Sequence, residues 1–554
     1  MPRRAPQSSA PANPAPRWLH PLTLCLAAFL LLAWFSPGAA DGDTWWHLKT
    51  GQYILQNHRL PIPDPFAFTT YLGKPLYAGE EHSRDLFLSH EWLTQVLFYS
   101  LYSAGGFAAL VLFRAAGLTL LCAIVGFLAY RRSRGFYRSL AAALLTASVA
   151  VSYTSDRPFL VSFLLLAATL TILELRRPLW LLPPLFALWS NCHGDFVLGW
   201  AAMGAYYAEA LLMRRRGTPV PREGWLWICC PLAIAASGLN PNGFRSVEYL
   251  LTSHNSLIQS RVWEWKSPTF WPPQPFNVVL ILALAVLLLA RRRVRPADWI
   301  LFGLYALATI IAARNLMLTG IVGPILIAAY FPWPKALPRA LPRALQYLAP
   351  LLLAAAAAVP IARGDAFQLR AITWNRPSGA ADFLLAHPTT GRLFNSYDQG
   401  GYLIWRLAPR QPVFIDGRAL NESVYGDFLS IANNHPEAAA LLTQYGIGVI
   451  LMEGFEDVTG ILWPLPLALA DPSRDDWKLV YWDRQSFIFM RHPPPGVAPL
   501  PSLQVLAALE AQCSDHIEHD PGTPGCTAEL ANLFARMGDR GRSRKWMATA
   551  MAFR

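Results

Sequence analysis

The sequence predicts a polytopic α-helical membrane protein of about eleven spans, followed by a small external α/β domain and a helical hairpin. Three observations predict this. Hydrophobic residues make up 54% of the 554 and charged residues only 15%, against about 25% charged in a soluble domain. Apolar segments recur between residues 18 and 361, separated by arginine clusters. Beyond them the pattern changes to short alternating stretches bounded by turn residues.

Taken in order, residues 1–17 are rich in Pro, Ala and Ser and read as a disordered cytoplasmic tail. Residues 18–40 read as a first span, with a cleaved signal ending near Ala40 as the alternative. The spans are 18–36, 106–130, 139–154, 158–175, 179–190, 196–213, 225–238, 276–290, 298–313, 315–331 and 345–361. Several fall short of the ~20 residues of a straight crossing. Segments 179–190 and 225–238 are the shortest of these and run into polar motifs. The stretch LPRALPRAL, 337–345, reads as a cytoplasmic linker.

Twenty basic residues fall on one side of these spans, and nine on the other up to residue 362. The positive-inside rule puts the N-terminus and the basic clusters in the cytoplasm. An odd number of spans then puts 363–554 outside. The net charge of +12 is thus a topology signal rather than a nucleic-acid footprint.

The first external loop, 37–105, is the longest between spans. WWHLKTGQYILQNH and residues 90–104 read as amphipathic helices lying at the interface. Ionisable residues gather on the outer side: Asp41, Asp43 and His47; His90 and Glu91; Asp156 and Arg157; Asn191, His193 and Asp195; Glu264; Arg314 and Asn315. Such groups are expensive at a membrane boundary unless paired or hydrated. Together they point to a site for a charged, hydroxyl-rich ligand. Each has a plainer reading. Asp43 or Thr44 caps a helix, as does His90-Glu91. Asp156-Arg157 is an ion pair. Asn191 and His193 satisfy a broken helix end. Asn240-Pro-Asn242-Gly is a turn. Trp263 and Trp265 anchor at the interface. Arg114, inside a span, either snorkels or pairs with a phosphate.

DGDTWWHLKTGQYI, DPFAFTT and SHEWLTQVLFY, with SDRPFLVSFLLL, LWSNCHGDFVLG, GLNPNGF, RVWEWKSP, AARNLMLTG and NSYDQGGYLIWRL…PVFIDGR, resemble a group of bacterial GT-C-like membrane glycosyltransferases. The resemblance covers about residues 18–491. Related sequences carry a second glycine where this chain has Asp195. The resemblance implies an enzyme of the bacterial cytoplasmic membrane. It takes a sugar from a polyprenyl-phosphate or polyprenyl-diphosphate donor and transfers it on the outer face. The class's first-loop aspartate falls on Asp43 or Asp41.

Such transfer needs a carboxylate to accept the acceptor's proton and positive charge to stabilise the leaving phosphate. Asp43 is the expected base, with Asp41 beside it. Arg157, Arg314, His90 and His193 are expected phosphate contacts. His47, Glu91, Asn191, Glu264 and Asn315 are expected to orient groups or meet the acceptor. Asp41, Asp43 and Glu91 are the candidate ligands for Mg²⁺ or Mn²⁺. The partners are a lipid-linked sugar and membrane lipids, with no nucleic acid. A lipid or glycan transporter and a non-catalytic scaffold for envelope assembly are the alternatives. No internal repeat marks a transporter.

Residues 363–391 read as a linker and 392–491 as the external α/β domain. Segments 392–397, 412–418 and 448–453 read as strands, 398–408 and 434–445 as helices, and 477–490 as a closing hairpin. Asp416-Gly-Arg418 reads either as a binding loop or as a turn. Residues 499–554 read as a tetratricopeptide-like helical hairpin, a candidate surface for a protein partner. Cys513 and Cys526 are in position to pair there, while the other five cysteines lie in apolar stretches.

Overall fold

The computed structural model describes residues 16–252, 256–332, 343–418, 420–457 and 459–553. The expected tail lies outside them up to residue 15, as does most of the 337–345 linker. The chain is mostly helical with one small sheet. Each of the eleven expected segments holds a helix. Among the described residues, Glu80–Ser133, Phe196–Arg215 and Ala313–Tyr330 are long and apolar enough to cross a membrane, and six apolar helices are shorter. Their side chains form one large core running from Leu31 through Leu118, Leu166 and Phe186 to Met317 and Leu326.

The first loop holds three helical pieces. Asp43–Asn57 ends at His58 in the left-handed region. Glu80–Ser89 follows. Trp92–Ser133 then runs on into the second span through a kink at Gly105 and Gly106. Gly106 has φ 61° and ψ −153°, a conformation that only glycine adopts at little cost. This lets an interfacial helix and a span share one chain segment at an angle.

The sheet comprises β1 (Arg392–Asn395), β2 (Ile447–Met452), β3 (Lys478–Trp482) and β4 (Phe487–Met490), in the order β1-β2-β4-β3. β1 and β2 are parallel and the other pairings antiparallel. The helices Gly400–Leu407, Glu422–Ala432 and Ala438–Gln444 lie between β1 and β2 in the chain.

Both faces of the sheet are buried, as the apolar strands require. Phe394, Ile450 and Phe489 pack with Val424, Phe428 and the C-terminal helices. Leu393, Leu451 and Ile488 pack with Leu403, Ala381 and, from the first loop, Trp45, Trp46 and Phe66. The first loop is thus part of the sheet-bearing unit's core.

Segment 412–418 was expected to be a strand and is not one. Its backbone is spent elsewhere: Val413 N–H donates to Phe66 O at 2.9 Å, and Phe68 N–H to Val413 O at 3.2 Å. Phe414 N–H donates to the Asn395 side chain at 2.8 Å. The segment joins the first loop through the single bridge Ala67–Val413. The C-terminal segment forms three helices, Gln504–His519, Gly525–Arg536 and Arg540–Ala552. The second expected helix breaks at Gly538, which has φ 79°. A Cys513–Cys526 disulfide, Cα–Cα 5.7 Å, joins the first two.

Candidate functional site

A cavity of about 740 Å³ lies between the ends of the apolar helices and the sheet-bearing unit. That is the size of a site for a substantial organic ligand. Asp43, His47, His90, Glu91, Arg157, His193, Glu264 and Arg314 line it, all among the expected site residues. So do Arg261, Lys266, Arg376, Tyr397 and Asp398, which the sequence did not single out as site residues. A basic residue two positions after Glu264, in a Trp-rich loop, was the available signal for Lys266.

Arg157 organises the membrane-side wall. Its Nε donates to Asp41 Oδ2 at 2.6 Å and its Nη1 to Glu264 Oε1 at 2.8 Å. Its Nη2 lies 3.0 Å from Asp43 Oδ2. Three carboxylates therefore share one guanidinium. Asp41 also accepts the Asp43 backbone N–H at 2.8 Å, so Asp41 and not Asp43 satisfies this helix start. Burial pushes Asp41 up, but the charge and hydrogen bond of Arg157 outweigh it and hold Asp41 below its ordinary value. Asp43 is pushed up to about 6 by burial and by repulsion from Asp41 and Glu264, against the pull of Arg157. Two neighbouring carboxylates thus titrate apart, the arrangement by which acid and base roles are divided.

Glu91 organises a second cluster. Its Oε1 lies 3.4 Å from His90 Nε2 and 3.3 Å from His193 Nε2, and its Oε2 3.7 Å from His47 Nδ1. His193 Nδ1 is 3.2 Å from Asp195 Oδ2. Burial opposes the charged form of His193, but Asp195 and Glu91 overcome it and raise the imidazole above its usual value. Burial would raise Asp195, but His193 holds it down to about 2. His47 lies deeper and is lowered to about 4 by burial despite Glu91. Arg314 stacks over Trp265 at 4.3 Å and keeps one nitrogen 3.7 Å from Asp195. Trp265 thus carries a guanidinium.

Some expected site residues serve the scaffold instead. Asn191 accepts from Trp92 Nε1 at 2.8 Å and donates to Leu239 O at 2.8 Å. Asn315 donates to Ala308 O at 3.0 Å. Neither lines the cavity. Asp156 pairs with Arg114 at 2.7 Å and not with Arg157. Arg114 also donates to the carbonyls of Phe35 and Pro37. It thereby ties the start of the first loop to the segment carrying Arg157. Arg157, expected as a phosphate contact, instead spends its donors on Asp41, Asp43 and Glu264. Among the described residues, no three His, Cys, Asp or Glu side chains converge as metal ligands must, and the Asp41, Asp43 and Glu91 set does not fit a cation.

The sheet-bearing unit closes against this wall through Asp416-Gly-Arg418. Arg418 forms a fork on Asp64, at 3.0 Å from each oxygen, and bonds Asp416 at 2.7 and 2.8 Å. All three side chains are buried. Gly417 is thereby set against Asp43: a Cβ there would stand 2.5 Å from Asp43 Oδ1. A Cβ on Gly401 would stand 2.8 Å from Gly42 O. At Gly401 the obstacle is backbone, which accounts for glycine there, whereas at Gly417 it is the end of the Asp43 side chain, which would have to shift.

No family model and no curated protein matches the chain. Solved structures do. The Archaeoglobus fulgidus oligosaccharyltransferase in its apo form aligns with TM-score 0.51 at 13% identity, over 87% of this chain and 75% of that one. The same archaeal enzyme in complex with an inhibitory peptide and a dolichol-phosphate aligns with TM-score 0.51 at 13% identity, over 88% and 77%. The form tethered to an acceptor peptide containing the NVT sequon aligns with TM-score 0.50 at 14% identity, over 88% and 76%. At such identities the likeness is one of fold, and this chain shares the GT-C fold of the archaeal oligosaccharyltransferase.

Proposed function

We propose that the chain is a membrane glycosyltransferase that moves a sugar from a polyprenyl-phosphate or polyprenyl-diphosphate donor to an envelope acceptor. The reaction takes place at the outer face of a bacterial cytoplasmic membrane. The observation that carries this reading is Asp43. It stands in the wall of a large cavity, is pushed up to about 6, and has cations ranged on the same wall. A carboxylate so raised is a better base than an ordinary one and is still mostly ionised at neutral pH.

Asp43 takes the proton of an acceptor hydroxyl as that oxygen bonds to the sugar's C1. The C1–O bond to phosphate breaks, and its electron pair leaves with the phosphate. Arg314, Lys266, Arg261, His90 and His193 line the cavity where that charge develops. Arg157 is a positioning residue that holds Asp43. The fold of enzymes acting on lipid-linked glycans supports the reading. The C-terminal helices remain a candidate surface for a protein partner.

The test is mass spectrometry of lipids co-purifying with wild type and with Asp43→Asn. The expected result is a polyprenyl-linked sugar enriched in the variant, which keeps its donor unreacted. Equal amounts of that lipid in both would point instead to a carrier. Bulk phospholipid alone in both, from folded protein, would overturn the reading in favour of a scaffold.

A further inference from the structure

Beyond Asp43, the cavity wall carries a second set of charges. Asp398, Glu453, Glu456 and Asp457 line it, and Arg376 is the cation among them. Burial, together with repulsion from Asp457, Glu456 and Asp43, pushes Asp398 up to about 7. Burial, with Asp457 and Asp398, pushes Glu453 up to about 8 although Ser396 donates to it at 2.5 Å. Arg376 offsets part of this at Asp398, and Arg376 with His516 offsets part of it at Asp457.

A second observation is independent of charge. Glu453 Oε1 and Gln399 Oε1 are acceptors with no hydrogen-bond partner. Their residues are 7% and 4% exposed. Glu453 lines both this cavity and a smaller neighbouring recess, which Gln399 also lines. Two donors on the same wall, Arg376 Nε and Trp463 Nε1, are likewise without a partner. Buried polar groups are almost always satisfied, so orphans gathered at one wall mark places where a ligand or a water completes the bonding.

We infer that this wall binds the acceptor's amino-sugar unit, with a free ammonium on the carboxylates and ring hydroxyls on the orphan donors. An ammonium brings three donors and a positive charge to acceptors that lack both. A hydroxyl accepts from Arg376 Nε and Trp463 Nε1 as readily as it donates. A neutral sugar meets only the second need. The carboxylates do not converge as metal ligands do. Asp43 is close enough to raise Asp398 by repulsion, and Arg376 donates to Ala40 O at 2.8 Å, so a group held there is within the space from which Asp43 takes a proton. This inference rests on the transferase reading.

The test is binding of glucosamine, N-acetylglucosamine and glucose to the full-length protein in detergent, by ligand-observed NMR. Glucosamine is expected to bind about tenfold more tightly than the other two. The preference disappears in Asp398→Asn/Glu456→Gln and survives in Asp475→Asn, an exposed carboxylate elsewhere on the sheet-bearing unit. Hydrogen exchange on wild type provides a check that needs no variant: glucosamine, and not N-acetylglucosamine, protects residues 396–401 and 453–457. Equal binding of the three sugars, or a preference that the double variant retains, would overturn the inference. Those results with Asp43→Asn still trapping donor would leave the transferase reading standing. An amine preference without any polyprenyl-linked sugar in either preparation would sink the transferase reading alone.

Discussion

Two arginines, 157 and 418, are each shared between carboxylates, and they do opposite things. Arg418 meets Asp64 and Asp416 with four bonds between 2.7 and 3.0 Å, in a place closed to water. Its fork is filled and its partners have nothing left to offer. Arg157 meets three carboxylates and is itself 26% exposed to the cavity. Burial raises the affinity of Asp43 for a proton, and one cation shared among three anions does not bring it back down. Saturation makes a seam, and undersupply makes a base. Gly417, between Asp416 and Arg418, joins the two, since a Cβ on it would stand 2.5 Å from Asp43 Oδ1.

The largest expected effect breaks the seam. Arg418→Met leaves Asp64 and Asp416 buried without a counter-ion, which costs about 3–5 kcal/mol. Thermal unfolding in detergent should show the sheet-bearing unit melting early, with limited proteolysis cutting the first loop near Asp64. An unchanged melting temperature would mean that the seam does not hold the sheet-bearing unit.

Next comes the contact between seam and site. Gly417→Ala places a methyl carbon 2.5 Å from Asp43 Oδ1, closer than the two atoms can stand. The carboxylate must move, and displacement of a reacting group by about 1 Å costs on the order of tenfold to a hundredfold in rate. Stability should hold, because the backbone at Gly417 is not left-handed and the Arg418 fork is untouched. Transfer rate from the co-purified donor, measured beside the melting temperature, separates the two. A variant as fast as wild type would show that Gly417 does not fix Asp43.

Local signals made half of this legible. The apolar segments, the helix from Asp43, β1, β2 and the closing hairpin follow from periodicity and turn residues close in sequence. Asp43, Arg157, Glu264 and Arg314 were legible as ionisable groups gathered on one side of the spans. What was not legible depends on long-range pairing. Segment 412–418 has the composition of a strand, yet its partner is Ala67, nearly 350 positions earlier in the chain. Nothing near Asp156 and Arg157 tells that adjacent residues point to different partners, one to Arg114 and one to the cavity. The second, acidic set of charges was missed because Asp398 and Asp457 are far apart in sequence and meet only when the sheet forms.

The smallest expected effect sharpens the contrast most directly, since it alters supply and demand at Arg157 without removing either base or cation. Asp41→Asn takes away one negative neighbour of Asp43 and leaves Arg157 with two carboxylates to serve. Both changes favour the ionised form of Asp43, so its affinity for a proton falls. In wild type the transfer rate should rise with pH through about 6, as Asp43 loses its proton, and then level off. In the variant the same limb should lie at lower pH, toward the ordinary carboxylate range. The plateau itself should drop modestly, because a less basic carboxylate is a weaker proton acceptor. Asparagine keeps an oxygen for the Asp43 N–H, so the helix start is preserved. A limb that stayed at about 6 would mean that burial alone sets Asp43. Arg157 would then be a structural arginine like Arg418, and the shortage of positive charge would no longer distinguish the two.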